Sequence, residues 1–221
     1  MNITSLTSFY IIVMSVMLAL TVIKLLRHTS EKNKVPMIAG VIFTIWIGLE
    51  LLFLGSNSIL PSDISSIGLF SIILICVALS GVILSPLMKS LVALPQYYLL
   101  LPQAFRMFFG AGFIIEAAYG IIPLDYGVVD GVMHITTAFL ATTLAIYIAH
   151  GNRPRKSLVM VNLFGLLDIG VVAYGIAFFI LDDIGVDHNV FYAVFFAAPI
   201  FIWLHLVSLY KCYLHMKTQK D

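Results

Sequence analysis

The chain is a succession of long apolar runs separated by short polar interruptions. Crossing the hydrocarbon core as a helix takes about 20 mostly apolar residues. Seven runs approach that length: Phe9 to Leu26, Val35 to Leu54, Ile64 to Leu84, Met107 to Pro123, Gly127 to Ala149, Ser157 to Leu181 and Val190 to Tyr210. They predict an all-α membrane protein, a seven-transmembrane-helix bundle. The connections are short, so residues 1–221 are expected to form a single transmembrane helical domain without a soluble appendage. Pro123 supports a turn between the fourth and fifth runs. Pro102 suits the start of the fourth helix, Pro95 opens a short interfacial turn with Tyr97 and Tyr98 at headgroup depth, and Pro199 is expected to kink the last span.

Charge orients these runs. Lys24, Arg27, Lys32 and Lys34, then Lys89 and Arg106, then Arg153, Arg155 and Lys156, and finally Lys211, Lys217 and Lys220 fall in alternate connections. The other connections carry Asp63, Asp125 and the stretch Asp182 to Asp187, and no Lys or Arg. By the positive-inside rule the N-terminus lies outside and the C-terminus in the cytoplasm. In the first run the cations follow the apolar residues, the reverse of a secretory signal, so it is expected to stay as an uncleaved span.

Composition agrees with this reading. The chain is 61% hydrophobic and 10% charged, with a mean hydropathy of +1.06, against about 45–50% and about 25% in soluble domains. Cys76 and Cys212 do not make a disulfide framework. No Gly-rich phosphate loop, nucleophile elbow or metal-binding Cys pair is present. The cations are dispersed over several segments, so nucleic-acid binding is not expected. Retinal attachment would need a buried lysine, and Lys24 and Lys211 both sit at span ends.

Ionisable residues inside apolar helices are expensive and are therefore functional candidates. Asp130 and His134, four residues apart, share one side of the fifth span. At about 1.5 Å per residue, Glu50 and Asp130 fall near the outer face. Glu116 and His134 follow a turn deeper, Asp168 is near the middle, His205 and Asn162 are toward the cytoplasmic third, and Arg106 with Gln103 stands at the inner end of span four. Burial favours the neutral form of an acid, so Glu50, Glu116 and Asp130 are expected to be partly protonated or to hold a cation. Asp168 needs a partner from another helix, with Arg106 and His205 as candidates. The bland alternatives are a Glu50 that snorkels to water and an Asp130/His134 pair that merely ties two helices together.

From Pro102 to about Tyr213 the chain resembles a family of small bacterial integral membrane proteins. The resemblance is carried by Gln103 with Arg106, by Ile122-Pro123 ahead of the Asp130 helix, and by the run holding Asn162, Gly165 and Asp168. Pro199, followed by Leu204, His205, Ser208 and Lys211, completes it. It implies a helical membrane fold and a bacterial inner (cytoplasmic) membrane location, and it implies no activity.

Three functions are open to such a chain. The first is transport or binding of a proton, cation or small polar solute through an outward-facing intramembrane polar cavity lined by Glu50, Arg106, Glu116, Asp130, His134, Asn162, Asp168 and His205. The second is an intramembrane metal-dependent lipid hydrolase, with Glu50, Glu116, Asp130 and His134 taking Mn or Fe. The third is a ligand receptor or assembly protein. Membrane lipid is an expected partner of all three, and cofactor and oligomeric state stay open.

Overall fold

The computed structural model of the protein describes residues 3–28, 34–55, 73, 76, 77, 80, 81, 83, 86–180, 188 and 190–217. Secondary structure among them is helical throughout: α1 (Ile3–Arg27), α2 (Lys34–Gly55), α3 (Pro86–Ala93), α4 (Gln96–Leu100), α5 (Arg106–Ala118), α6 (Leu124–Ala149), α7 (Arg155–Gly175), α8 (Val190–Tyr192) and α9 (Ala198–Lys217). A 3₁₀ turn, Leu101–Phe105, joins α4 to α5, while π turns at Ile176–Ile180 and Ala193–Ala197 extend α7 and join α8 to α9.

Among the described residues, six stretches are long and apolar enough to cross a membrane: Ser5–Arg27, Lys34–Leu52, Gln96–Ala118, Leu124–Ala149, Arg155–Ile180 and Val190–Leu214. The expected third span, Ile64 to Leu84, lies almost wholly outside the described residues. The protein is a helical membrane protein. Phe139, Met160, Leu167 and Phe178 are exposed, whereas Gln103, Arg106, Asn162 and Asp168 are completely buried. That surface would be a continuous liability in water, but lipid tails cover it at no cost, and the polar groups retreat to where other helices can satisfy them.

Prolines punctuate this architecture at helix starts. Pro86 opens α3, and Pro95, Pro123 and Pro154 sit at the N-caps of α4, α6 and α7. At the three N-caps the absent N–H costs nothing, because no helical carbonyl lies a turn earlier to receive it. Pro102 departs from expectation. It sits in the first turn of the 3₁₀ segment, where the tighter winding lets the chain pass from α4 into α5 without a break. The fourth span therefore runs Gln96–Ala118 rather than Met107 to Pro123. This moves Arg106 and Gln103 from the inner end of the span to its middle, and corrects the grouping of Arg106 with the terminal cations.

Pro199 follows a local change of helix winding. It has no N–H for the carbonyl of Phe195 a turn earlier, and the helix opens there into the Ala193–Ala197 π turn. The indole Nε1 of Trp46 on α2 donates to the Phe195 carbonyl at 2.9 Å, which fastens α2 to this distorted stretch.

The most extensive helix contact is between α5 and α6, and glycine makes it. A Cβ on Gly110 would stand 2.5 Å from the Gly131 carbonyl oxygen, and one on Gly131 would stand 2.6 Å from the Gly110 carbonyl oxygen. Gly127 and Gly131, four apart on α6, bring the two backbones to this distance. At one end of the bundle His28 stacks on Tyr98 with centroids 5.6 Å apart, Lys211 Nζ donates to the Leu94 carbonyl, and Arg155 Nη2 donates to the Cys212 carbonyl at 3.3 Å. These contacts gather the basic end of α1, the α3–α4 junction, the start of α7 and the end of α9 on one face.

Candidate functional site

Mid-bundle, the guanidinium of Arg106 is the hub. Its Nη2 donates to Asp168 Oδ2 at 2.5 Å and its Nη1 to the Gly165 carbonyl at 3.0 Å, with the Phe201 ring 5.5 Å away. Gly165 is required on α7: a Cβ there would collide with the His205 ring. Asp168 Oδ2 also accepts from Thr137 Oγ1 at 2.6 Å, and its Oδ1 lies 2.8 Å from His134 Nδ1. A carboxylate only accepts, so His134 Nδ1 carries the hydrogen given to Asp168, and Arg106 Nη2, 3.1 Å from the same nitrogen, is a close neighbour rather than a second donor.

That assignment leaves His134 Nε2 to face Asp130, whose Oδ1 is 3.5 Å away. Neither carboxylate oxygen of Asp130 has a hydrogen bond among the described residues, although both are buried. One proton placed on either His134 Nε2 or Asp130 serves the pair, and the total charge is the same in both cases.

A second branch leaves Arg106 on the opposite side. His205 Nε2 lies 3.5 Å from Arg106 Nη1. A guanidinium only donates, so this nitrogen is bare, and His205 Nδ1–H donates to Asn162 Oδ1 at 2.9 Å. Asn162 Nδ2 donates to the Leu158 carbonyl at 2.7 Å and to Ser208 Oγ at 2.8 Å, and Gln96 Nε2 donates to the same Ser208 oxygen at 2.5 Å. A continuous series of polar contacts therefore runs from Gln96 at the basic end to Asp130. Arg106, permanently charged, divides it into a half of amides, a hydroxyl and one imidazole (Gln96, Ser208, Asn162, His205) and a half of two acids around an imidazole (Asp168, His134, Asp130).

Each helix presents its members as a stripe: Asp130, His134 and Thr137 on α6, Asn162, Gly165 and Asp168 on α7, and Phe201, His205 and Ser208 on α9, at spacings of three and four. Sequence reasoning passed over Thr137 and Gln96 as site residues, and took Ser208 only as part of a resemblance. The signal for Thr137 and Ser208 was their place, three residues on from His134 and His205, along the same faces.

Six of the eight expected site residues thus meet: Arg106, Asp130, His134, Asn162, Asp168 and His205. Gln103 lies beside them, donating to the Phe201 carbonyl at 3.3 Å. Glu50 does not join them. It is 7% exposed on α2, so it does not snorkel, and its electrostatic neighbour is Tyr192 of α8. Glu116 is fully buried on α5 but stands outside the cluster. The expected metal set of Glu50, Glu116, Asp130 and His134 is therefore not assembled, because Glu50 and Glu116 bring no ligand atom into the group formed by Asp130 and His134. Asp130, His134 and Asp168 do bring one ligand atom each within 4.8 Å of one another. Arg106 already supplies a cation at that spot, and like charges a few ångströms apart in low dielectric repel strongly. The centre is enclosed: Arg106, Asn162, Asp168 and His205 have no accessible surface, and His134 is 9% exposed.

Fold and site together define a membrane protein whose helices close around a charged, hydrogen-bonded network. The chain belongs to the DUF8737 family, a domain of unknown function whose model matches residues 64–213. The match takes in every member of the network and begins well before Pro102. No curated protein and no solved structure matches the chain.

Proposed function

We propose that the protein moves protons, alone or with a small polar solute, across a bacterial inner membrane. The working site is Asp130, His134 and Asp168, held against Arg106. The observation that carries this reading is Asp130, a buried acid without a hydrogen bond among the described residues, beside a histidine whose other nitrogen is already committed to Asp168. A bundle that needed only glue would lose little by an apolar residue there, since burying a carboxylate that no hydrogen bond satisfies costs several kcal/mol, on the order of the whole benefit of a membrane hydrogen bond or more.

The chemistry follows from the contacts. A proton arriving at Asp130 passes to His134 Nε2, and the imidazolium can then release its Nδ1 proton to Asp168. Once protonated, Asp168 no longer neutralises Arg106, which frees the guanidinium to turn to an anionic group of a solute or to His205. The pair is thus a two-state latch that one proton opens. The enclosed centre corresponds to the latched state, and opening of the bundle on the side of His134 gives the outward-facing cavity. The distribution of cations supports an N-terminus outside and a C-terminus in the cytoplasm, and the run Ile64 to Leu84 supplies the seventh span.

Reconstituted vesicles carrying an internal pH dye test this reading. Wild-type protein acidifies the lumen under an inward proton gradient, and Asp130→Asn and Asp168→Asn both abolish the response while leaving the protein inserted. A wild type without proton movement, or an Asp130→Asn variant that conducts like wild type, removes the proposal.

A further inference from the structure

At the basic end of the bundle a cavity of about 750 Å³ opens between the start of α4, the α6–α7 turn, the start of α7 and the end of α9. Its volume lies within the roughly 300–1,000 Å³ typical of small-molecule sites. Arg153, Arg155 and Lys211 line it, and no acidic residue among the described residues does. Two of these cations are held by neutral groups: Lys211 by the Leu94 carbonyl and Arg155 by the Cys212 carbonyl at 3.3 Å. Carbonyls orient a cation without cancelling its charge, so the cavity keeps a concentrated positive field.

α7, 21 residues long, begins at this cavity with Pro154 at its N-cap and no side chain capping its first amides. The positive end of the helix dipole thus adds to three side-chain cations. Tyr97 and Gln96 complete the wall toward the bundle.

We infer that this cavity binds a phosphate-bearing anion, with the guanidinium groups of Arg153 and Arg155 and the ammonium of Lys211 gripping the phosphate oxygens. Arg forks match tetrahedral oxyanions in pairs of hydrogen bonds, and three cations without a carboxylate exceed what topology alone needs. The phosphate comes either from an anionic phospholipid headgroup at the bilayer edge or from free solute. Gln96 lines the cavity and also donates to Ser208, so an occupant sits one side chain away from the buried network. The inference needs only the cavity and its cations, and it stands or falls separately from proton movement.

The test uses full-length protein and two probes. In detergent, inorganic phosphate is titrated while thermal unfolding is followed. In parallel, unfolding is compared in vesicles of phosphatidylcholine with and without phosphatidylglycerol. A rise in unfolding temperature with inorganic phosphate assigns a soluble source, a rise only with phosphatidylglycerol assigns the headgroup, and a rise in both shows that the phosphate itself is recognised whatever carries it. In each case Arg153→Ala/Arg155→Ala weakens the response about tenfold or more, the scale of losing charge-assisted contacts, and Arg27→Ala, a cation at the same end but outside the cavity, leaves it unchanged. Arg153→Ala alone, at an exposed side chain, repeats the comparison if the double variant is unstable. No response to either probe, or equal responses in wild type and the arginine variants, overturns the inference.

Discussion

Arg106 and Asp168 are each inaccessible to solvent and 2.5 Å apart, so truncating one leaves the other charged and unmatched in low dielectric. Arg106→Ala and Asp168→Ala are each expected to destabilise by about 3–5 kcal/mol. The double variant should lose clearly less than the sum, because the second substitution removes the orphan that the first created. Thermal unfolding of the four proteins in one detergent measures this cycle, and additive losses would mean that the two residues act independently. The histidines behave differently from one another for a reason visible at this scale. His205 is fixed between a donor that cannot accept and an amide oxygen that cannot donate, whereas His134 keeps one nitrogen turned to an acid without a hydrogen bond among the described residues. The proposed relay therefore runs through His134 and not through His205.

Among the elements, α9 and α2 share a dependency that neither sequence segment displays alone. Trp46→Phe removes the indole that donates to the Phe195 carbonyl beside Pro199, at an expected loss of about 1–2 kcal/mol. Unfolding temperatures of wild type and variant in one detergent measure it, and equal stability would mean that the indole merely packs. The α5–α6 contact rests on a different device: Gly110 and Gly131 lie against each other's backbone, and that closeness lets Arg106 and His134, one on each helix, come within 3.1 Å. The threonines show why such partners escape a reading by residue type. Thr21 and Thr44 bond to their own helix at Met17 and Gly40, while Thr137, on an equally apolar helix, crosses to Asp168.

For the molecule as a whole, the gathering of cationic helix ends on one face makes an orientation test direct. In a variant lacking Cys76 and Cys212, Tyr119→Cys should react with an impermeant thiol reagent added outside intact cells. Lys156→Cys should react only after the membrane is opened. Tyr119 and Lys156 are both exposed and lie at opposite ends of spans, so labelling of both from the same side would refute the orientation. Five of the six candidate spans were readable from the apolar runs to within a few residues, because a bilayer imposes a minimum apolar length that composition alone reveals. The start of the run expected at Met107 was misplaced by about three turns. Prolines at 95 and 102 both looked like punctuation; Pro95 does mark a helix start, but the 3₁₀ winding carries the chain helically through Pro102.

Apolar length, the placement of lysine and arginine and the presence of acids within spans are properties of consecutive residues, and they were enough to make this a membrane protein with an ionisable interior. Which of those buried groups meet depends on how each helix is rotated and how deeply it sits. Those quantities are set by contacts between distant segments, such as glycine against glycine at 110 and 131. Arg106 reached Asp168 rather than water, and Glu50 and Glu116 were left apart from the cluster, for that reason: desolvation makes every buried charge seek a partner, but only the packed bundle fixes which partner is within reach.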